Sequence, residues 1–377
     1  MRVIIIGAGV AGLSIGWRLV QAGCEVVVLE RAQPAQGATW ASAGMIAVTG
    51  ENTDITRPEA EFSRYSRSLW PAFAEDVETS AGRKIAFRVD GALIAASSAP
   101  AAAALATRAV ASGGNAKYLS PAEAREMEPL LAPDIEGALY DAGEAQVDNR
   151  ALGKALAVSF VRAGGSLVAN EAVYRLDVAA GGVTGAVTSF AKYHGDAFVL
   201  AAGAWTSRIE GLPVEAMPPV IPVKGEMLAL APPEARALPR RIVWGREVYL
   251  VPRHDRLFVG ATMSREGFDT SVTQAGGVWL QSHAAGVMPA LAEWDIAEHW
   301  AGLRPGSPDD LPILGETSIK GLFVASGQFR NGILFAPAIA EALSSLVLGR
   351  TPPSLIAAFD PARFRDQASL AKARSTG

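Results

Sequence analysis

Six residues near the start of the chain, Gly7-Ala8-Gly9-Val10-Ala11-Gly12, and an acidic residue 18 positions beyond the last of them, Glu30, have the types and spacing to hold a nucleotide diphosphate. Each glycine has its own reason. The first permits a tight turn, the second lets backbone approach a pyrophosphate, and the third lets a helix pack closely on a strand. A helix N-terminus directly behind them would stabilise the phosphates, while Glu30 can accept hydrogen bonds from ribose hydroxyls. Such chemistry requires a strand before the turn and a helix after it. Val3 to Ile6 is a β-branched run, Val10 to Gln21 carries helical periodicity, and Glu25 to Leu29 reads as the next strand, so the chain opens as a βαβ unit of a parallel sheet. The glycines alone serve FAD and NAD(P) equally, which leaves an NAD(P)-dependent dehydrogenase open at this point.

Other chemistries fail on position or spacing. Gly12-Leu13-Ser14-Ile15-Gly16 has the form of a nucleophile elbow, but Ser14 falls inside the helix rather than at a strained turn. His194, His254, His283 and His299 show no paired ligand spacing, and Cys24 is the single cysteine, so no metal site is expected. Cys24 precedes a strand and reads as a buried structural thiol. A formal net charge of -4, with no run of five or six basic residues, gives no electrostatic footprint for nucleic acid. The apolar stretch from Val3 to Val20 is interrupted by three glycines and Arg18, unlike a signal peptide. No apolar run reaches transmembrane length. A cytoplasmic protein is expected, and a homo-oligomer is compatible with the sequence.

The elements that must position this chemistry can be followed along the 377 residues, half of them apolar and 38 of them glycine. Helices are expected over residues 58–80, with Phe62, Leu69, Trp70 and Phe73 on one side, over 99–112, 151–162 and 337–348. Strands are expected over 85–96, 166–168, 172–176, 183–189, 197–200 and 322–325. Residues 228–230, 247–251 and 257–261 read as a second, mostly antiparallel sheet. The predicted fold class is therefore α/β, a discontinuous Rossmann-like dinucleotide-binding domain (1–84, 145–220 and 300–377) with an inserted α+β, mostly antiparallel substrate domain (85–144 and 221–299).

Four further segments carry a resemblance. Gly37-Ala38-Thr39-Trp40-Ala41-Ser42-Ala43-Gly44-Met45 is similar to the second flavin-contacting loop of the D-amino-acid-oxidase superfamily of FAD-dependent oxidoreductases, and Phe198 to Trp205 resembles its strand ending in a small-residue turn. Gly302-Leu303-Arg304-Pro305 and Gly327-Gln328-Phe329-Arg330-Asn331-Gly332-Ile333 resemble its C-terminal signatures. The order is right along nearly the whole chain, and the likeness is nearest to the glycine oxidase branch of the thiamine-pathway type.

The resemblance implies a set of roles. Around the cofactor it implies Gly7, Gly9, Val10, Ala11, Gly12, Glu30, Arg31, Thr39, Ser42, Ala43, Gly44, Met45, Ala202, Gly203 and Trp205, with backbone of Val173 at the adenine edge. Backbone amides from Arg330, Asn331, Gly332 and Ile333 would face the flavin where charge accumulates on reduction. Small residues at Ala43, Gly44, Ala202 and Gly203 suit a flat ring pressed against backbone. Thr39 and Ser42 can donate to a pyrophosphate, and Arg31 can neutralise it or stack on adenine. Arg304, whose planar guanidinium can grip a carboxylate through two parallel hydrogen bonds, and the Tyr249 hydroxyl would hold substrate. Met45 and Met263 would wall the pocket, and Arg330 would stand near substrate.

The implied reaction is oxidation of a small amino acid or amine, such as glycine, sarcosine or a small D-amino acid. The neutral amine would drive hydride transfer to flavin N5 with no side-chain base, and dioxygen would act as acceptor to give hydrogen peroxide. No histidine or carboxylate is expected in the pocket. Monomeric sarcosine oxidases resemble the chain too, but the lysine they place near the Met263 position and the C-terminal cysteine that holds their FAD are missing, so the FAD would be noncovalent. Gln328 stands where glycine oxidases often have histidine. A D-amino-acid dehydrogenase passing electrons to a quinone, and a flavin-binding subunit that needs a partner, are the alternative readings.

Overall fold

The β-branched opening run forms the strand β1 (Arg2–Ile6), followed by the helix α1 (Val10–Gln21) and the parallel strand β2 (Glu25–Leu29). These belong to a computed structural model that describes residues 1–51, 54, 56–233 and 237–364; residues 365–377, part of the third segment expected for the FAD-binding domain, lie outside the described residues. Six strands form the first sheet, in the order Ile313–Glu316, Leu322–Ser326, Ala197–Leu200, β1, β2, Ser166–Val168, and all neighbours are parallel except the outermost pair. Alternation along β1 explains how both faces are covered. Val3 and Ile5 pack under the helices, while Ile4 and Ile6 meet a three-stranded meander through Leu176 and Ala186.

The second sheet has eight strands and is antiparallel apart from one parallel pair, Ile242–Gly245 with Ala92–Ala96. Its longest members are Ile221–Ala231 and Asp295–Gly306, paired over their whole length. Again the period of two divides the side chains. Leu228 and Leu230 face the helix Gln274–Val287, whereas Met227 and Ala229 face the other way, toward Ala41, Ala43 and Trp300. The strands of the first sheet come from residues 2–29, 166–200 and 313–326, and those of the second from 92–141 and 221–306.

Several expected elements shift. The strand expected over 85–96 is confined to Ala92–Ala96, because Gly91 turns the chain at φ +75. The one expected over 172–176 begins only at Arg175 and runs to Ala179. The helix Gln274–Val287 was not anticipated, since Gly276, Gly277 and Gly286 lower its propensity. Packing accounts for two of these: a Cβ on Gly276 would lie 2.5 Å from the Glu226 carboxylate, and one on Gly277 would lie 3.2 Å from the His299 ring.

Candidate active site

The Gly-rich turn is built as its residue types require. Gly7 has φ +108, and a Cβ there would stand 2.4 Å from the Ala201 carbonyl oxygen; a Cβ on Gly12 would stand 2.0 Å from the oxygen of Gly7. Neither position admits a side chain. Gly12 therefore packs α1 against the turn and does not itself line the cavity that opens beside it. Glu30 fastens the same turn, accepting from the Ala8 amide at 2.8 Å and from the Ala32 amide at 3.1 Å.

The second loop is tied to the first. Thr39 Oγ1 accepts from the Val10 amide at 3.0 Å, and Asn149 Nδ2 donates to the carbonyls of Thr39 and Trp40, each at 2.9 Å. Ser42 donates its hydroxyl proton to the Thr39 carbonyl at 3.0 Å and also lines the cavity. Gly44 has φ +71, and a Cβ would lie 2.1 Å from the Val147 oxygen. Arg253 donates to the Ala43 carbonyl at 2.6 Å, and burial lowers its guanidinium pKa to about 10. Arg253 and Asn149 carried no signal in the sequence, because both act through backbone carbonyls of a loop distant along the chain.

One cavity runs from this turn to the second sheet. Its wall includes Gly7, Gly9, Val10, Ala11, Glu30, Arg31, Thr39, Ser42, Ala43, Gly44 and Met45, then Val173, Ala202, Gly203 and Trp205. Further along come Tyr249, Arg304, Arg330, Asn331, Gly332 and Ile333. Arg31 lies over the Trp205 indole, 3.5 Å from the ring centroid, at the wall of the same cavity. Gly203 has φ +55, and its carbonyl accepts from both Thr206 and Ser326 hydroxyls. In the last loop the Asn331 amide donates to the Gln328 carbonyl at 2.9 Å, so that amide is taken up by the turn. Trp70 and Ser66, on the helix Pro58–Ala81, donate to the Leu334 carbonyl and hold the same loop from behind.

Sheet register places the polar groups at the far end. Tyr249, Gly260, Met227 and Trp300 lie side by side across four strands, and Gly302 is paired with Gly225 in the next row on that face. Glycines make room. A Cβ on Gly260 would lie 2.4 Å from the Tyr249 ring, and one on Gly225 would lie 2.2 Å from Arg304 Nη1. Arg304 Nη1 donates to the carbonyls of Lys224 and Thr262, both at 3.3 Å, which aims the guanidinium along the wall. Burial raises the Tyr249 hydroxyl above its ordinary pKa, with Arg304 beside it opposing the shift.

Two expectations about this end are corrected. Met263 does not wall the cavity; it is 65% exposed, beyond the end of the strand Arg256–Gly260, and Met227 supplies the apolar surface next to Tyr249. The cavity does contain a carboxylate. Glu51, whose side chain is only 6% exposed, pairs with Arg330 at 2.5 Å. Burial pushes its carboxyl upward, and the guanidinium groups of Arg330 and Arg304 pull it back. Glu51 follows Gly50 in a segment with no periodic pattern, so nothing in the sequence marked it. The four histidines take hydrogen bonds elsewhere, and no metal-binding cluster exists among the described residues.

The cradle fits a flavin dinucleotide on grounds of its own. Gly-rich backbone with no room for a Cβ lines one end, and Gln328, 6% exposed, belongs to the same wall and has a buried Nε2 without a hydrogen-bond partner. No helix among the described residues is long and apolar enough to cross a membrane.

Comparison with known proteins agrees with this geometry. The family model described as FAD dependent oxidoreductase matches residues 2–346. The bifunctional protein ThiO/ThiG of Synechocystis is 35% identical over 96% of the chain, which spans only 54% of that longer relative, about half its length. Glycine oxidase of Geobacillus kaustophilus is 33% identical over 92% of both chains. Its crystal structure superposes with a TM-score of 0.90, covering 96% of this chain and 99% of the other. The iminodiacetate oxidase of Chelativorans sp. BNC1 gives a TM-score of 0.85 at 26% identity, over 96% of this chain and 99% of the other. With a family model matched over more than nine-tenths of its length and a relative of one-third identity aligned over 92% of both chains, this chain belongs to the D-amino-acid-oxidase type of FAD-dependent oxidoreductases.

Proposed function

We propose that the chain oxidatively deaminates a small amino acid or related amine, with dioxygen as acceptor and hydrogen peroxide as product. One observation carries the reading. A guanidinium and a phenol, Arg304 and Tyr249, stand together at one end of a cavity whose other end is the Gly-rich turn. FAD held along that cavity supplies the two-electron acceptor. The residues of the second sheet do the rest by positioning. Arg304 presents free N–H groups to a substrate carboxylate, Tyr249 Oη adds a second donor, and Met227 with Met45 excludes water around the α-carbon. No protein base is needed if the amine enters neutral, because its lone pair can assist departure of the hydride. The division into a nucleotide-binding domain and a substrate domain is supported by the separate sheets that the interleaved segments build.

The acceptor is tested by adding glycine, sarcosine and small D-amino acids to the air-equilibrated enzyme and measuring peroxide against oxygen consumed. Equal amounts support the reading. Turnover with an artificial quinone or dye but none with oxygen overturns the oxidase assignment.

A further inference from the structure

The cavity end that holds Arg304 contains three charges, not one. Arg304 and Arg330 contribute two guanidinium groups, and Glu51 contributes a carboxylate paired with Arg330 at 2.5 Å. Arg304 Nη1 donates to two carbonyl oxygens at 3.3 Å and its guanidinium also meets the Tyr249 hydroxyl, and among the described residues no carboxylate is ion-paired with it, so its charge is open to a ligand; Arg330 already has its counterion. The sum is one uncancelled positive charge. We propose that Glu51 cancels Arg330 and so restricts the cavity to substrates bearing a single anionic group, making Glu51 a specificity determinant. This rests on the amine-oxidation reading of the same cavity. A second carboxylate on the substrate would have to displace Glu51 from Arg330 or sit beside it uncompensated, and either arrangement of like charge next to the buried Glu51 carboxylate is costly. Glu51→Gln leaves Arg330 free to receive the second anion.

Two measurements keep the filter separable from the reaction. Perturbation of the bound flavin spectrum reports binding of the unreactive ligands acetate and malonate to the holoenzyme. Anaerobic flavin reduction compares sarcosine with iminodiacetate, which share the oxidisable carbon and a secondary amine and differ by one carboxylate. The wild type should favour acetate and sarcosine, and Glu51→Gln should move both ratios toward the dianion by roughly 10- to 100-fold. Arg330→Gln, which strands the Glu51 charge, should weaken acetate binding by roughly 10-fold. Restoring the wild-type ratios in Glu51→Gln/Arg330→Gln completes the test. Unchanged ratios in Glu51→Gln, a shift that persists without Arg330, or, where Glu51→Gln does not hold flavin, unaltered acetate affinity in Arg330→Gln would overturn the filter. A malonate shift with no flavin reduction by any amine would keep the filter and remove the amine-oxidation reading.

Discussion

The Arg31 guanidinium lies over the Trp205 indole, 3.5 Å from the ring centroid, joining the chain just after β2 to the short 3-10 helix Gly203–Arg208 in the wall of the nucleotide cavity. Neither residue is near the other in sequence. Trp205 also packs against Phe268, ring centroids 5.7 Å apart, so the stack forms a wall that keeps a cation beside the Gly-rich turn.

Trp205→Ala should therefore weaken FAD binding even though the phosphate-facing backbone is untouched. A cation-π contact of this kind contributes roughly 1–2 kcal/mol, or about 5- to 30-fold in Kd. Titrating the apoprotein with FAD by flavin fluorescence measures it. If the two act as a unit, Trp205→Ala and Arg31→Ala combined should cost less than their sum. Strict additivity would show that the stacking does no more than its parts.

Gly225 should matter through Arg304. An alanine Cβ would meet the Arg304 guanidinium at 2.2 Å, so Gly225→Ala must move it. Misplacing a carboxylate clamp by about an ångström costs up to roughly 100-fold in kcat/KM. We expect that loss for carboxylate substrates, with simple uncharged amines less affected. Equal losses for both would point to general damage to the sheet.

Arg304→Ala should lower kcat/KM for carboxylate substrates by roughly 2–4 kcal/mol, the cost of removing a charged hydrogen-bonding partner. Arg304→Lys should recover only part, since a lysine cannot make two parallel bonds. Steady-state kinetics that match wild type in the alanine variant would take Arg304 out of the site.

Much of this site was legible because its local rules are strong. The turn from Gly7 to Gly12 follows directly on a β-branched strand and directly precedes a helix, so residue type and spacing suffice there, whereas Tyr249 and Arg304 were reached through the family resemblance, and the strand Asp295–Gly306 that carries Arg304 was not anticipated. Glu51 and Arg253 were not legible. Their roles depend on Arg330 and on Ala43, hundreds of positions away, and only the closure of the fold brings them together. The helix Gln274–Val287 was missed for a related reason. Its glycines read as breaks, but Gly276 and Gly277 serve the close approach to Glu226 and His299. Met263 failed in the opposite direction, since a family position was carried over to a chain segment that turns outward.

Glu144 should give the enzyme a recognisable pH signature. It accepts from the Val48 and Thr49 amides at 2.8 and 2.9 Å, beside Arg67 and close to Asp141, and burial first, with Asp141 adding to it, pushes its carboxyl up to about 7. The unfolded chain loses that proton near 4.5, so between about 4.5 and 7 the native state binds more protons and stability must fall as pH rises. The full effect is roughly 3 kcal/mol. Urea unfolding of the FAD-saturated enzyme at pH 5, 6, 7 and 8 should show a shallower decline in Glu144→Gln than in wild type. Parallel curves would mean that Glu144 is ionised in the folded protein.

The central claim is that FAD lies along the cavity with its reactive ring next to Arg304 and Tyr249. Its most direct test is anaerobic absorbance of the purified protein as glycine, sarcosine or a small D-amino acid is added. The expected result is a yellow protein whose flavin is released by denaturation, is bleached by at least one of these substrates, and is bleached far more slowly in Arg304→Ala. A colourless protein that takes up no FAD, or a bound flavin that none of them reduces, would contradict it.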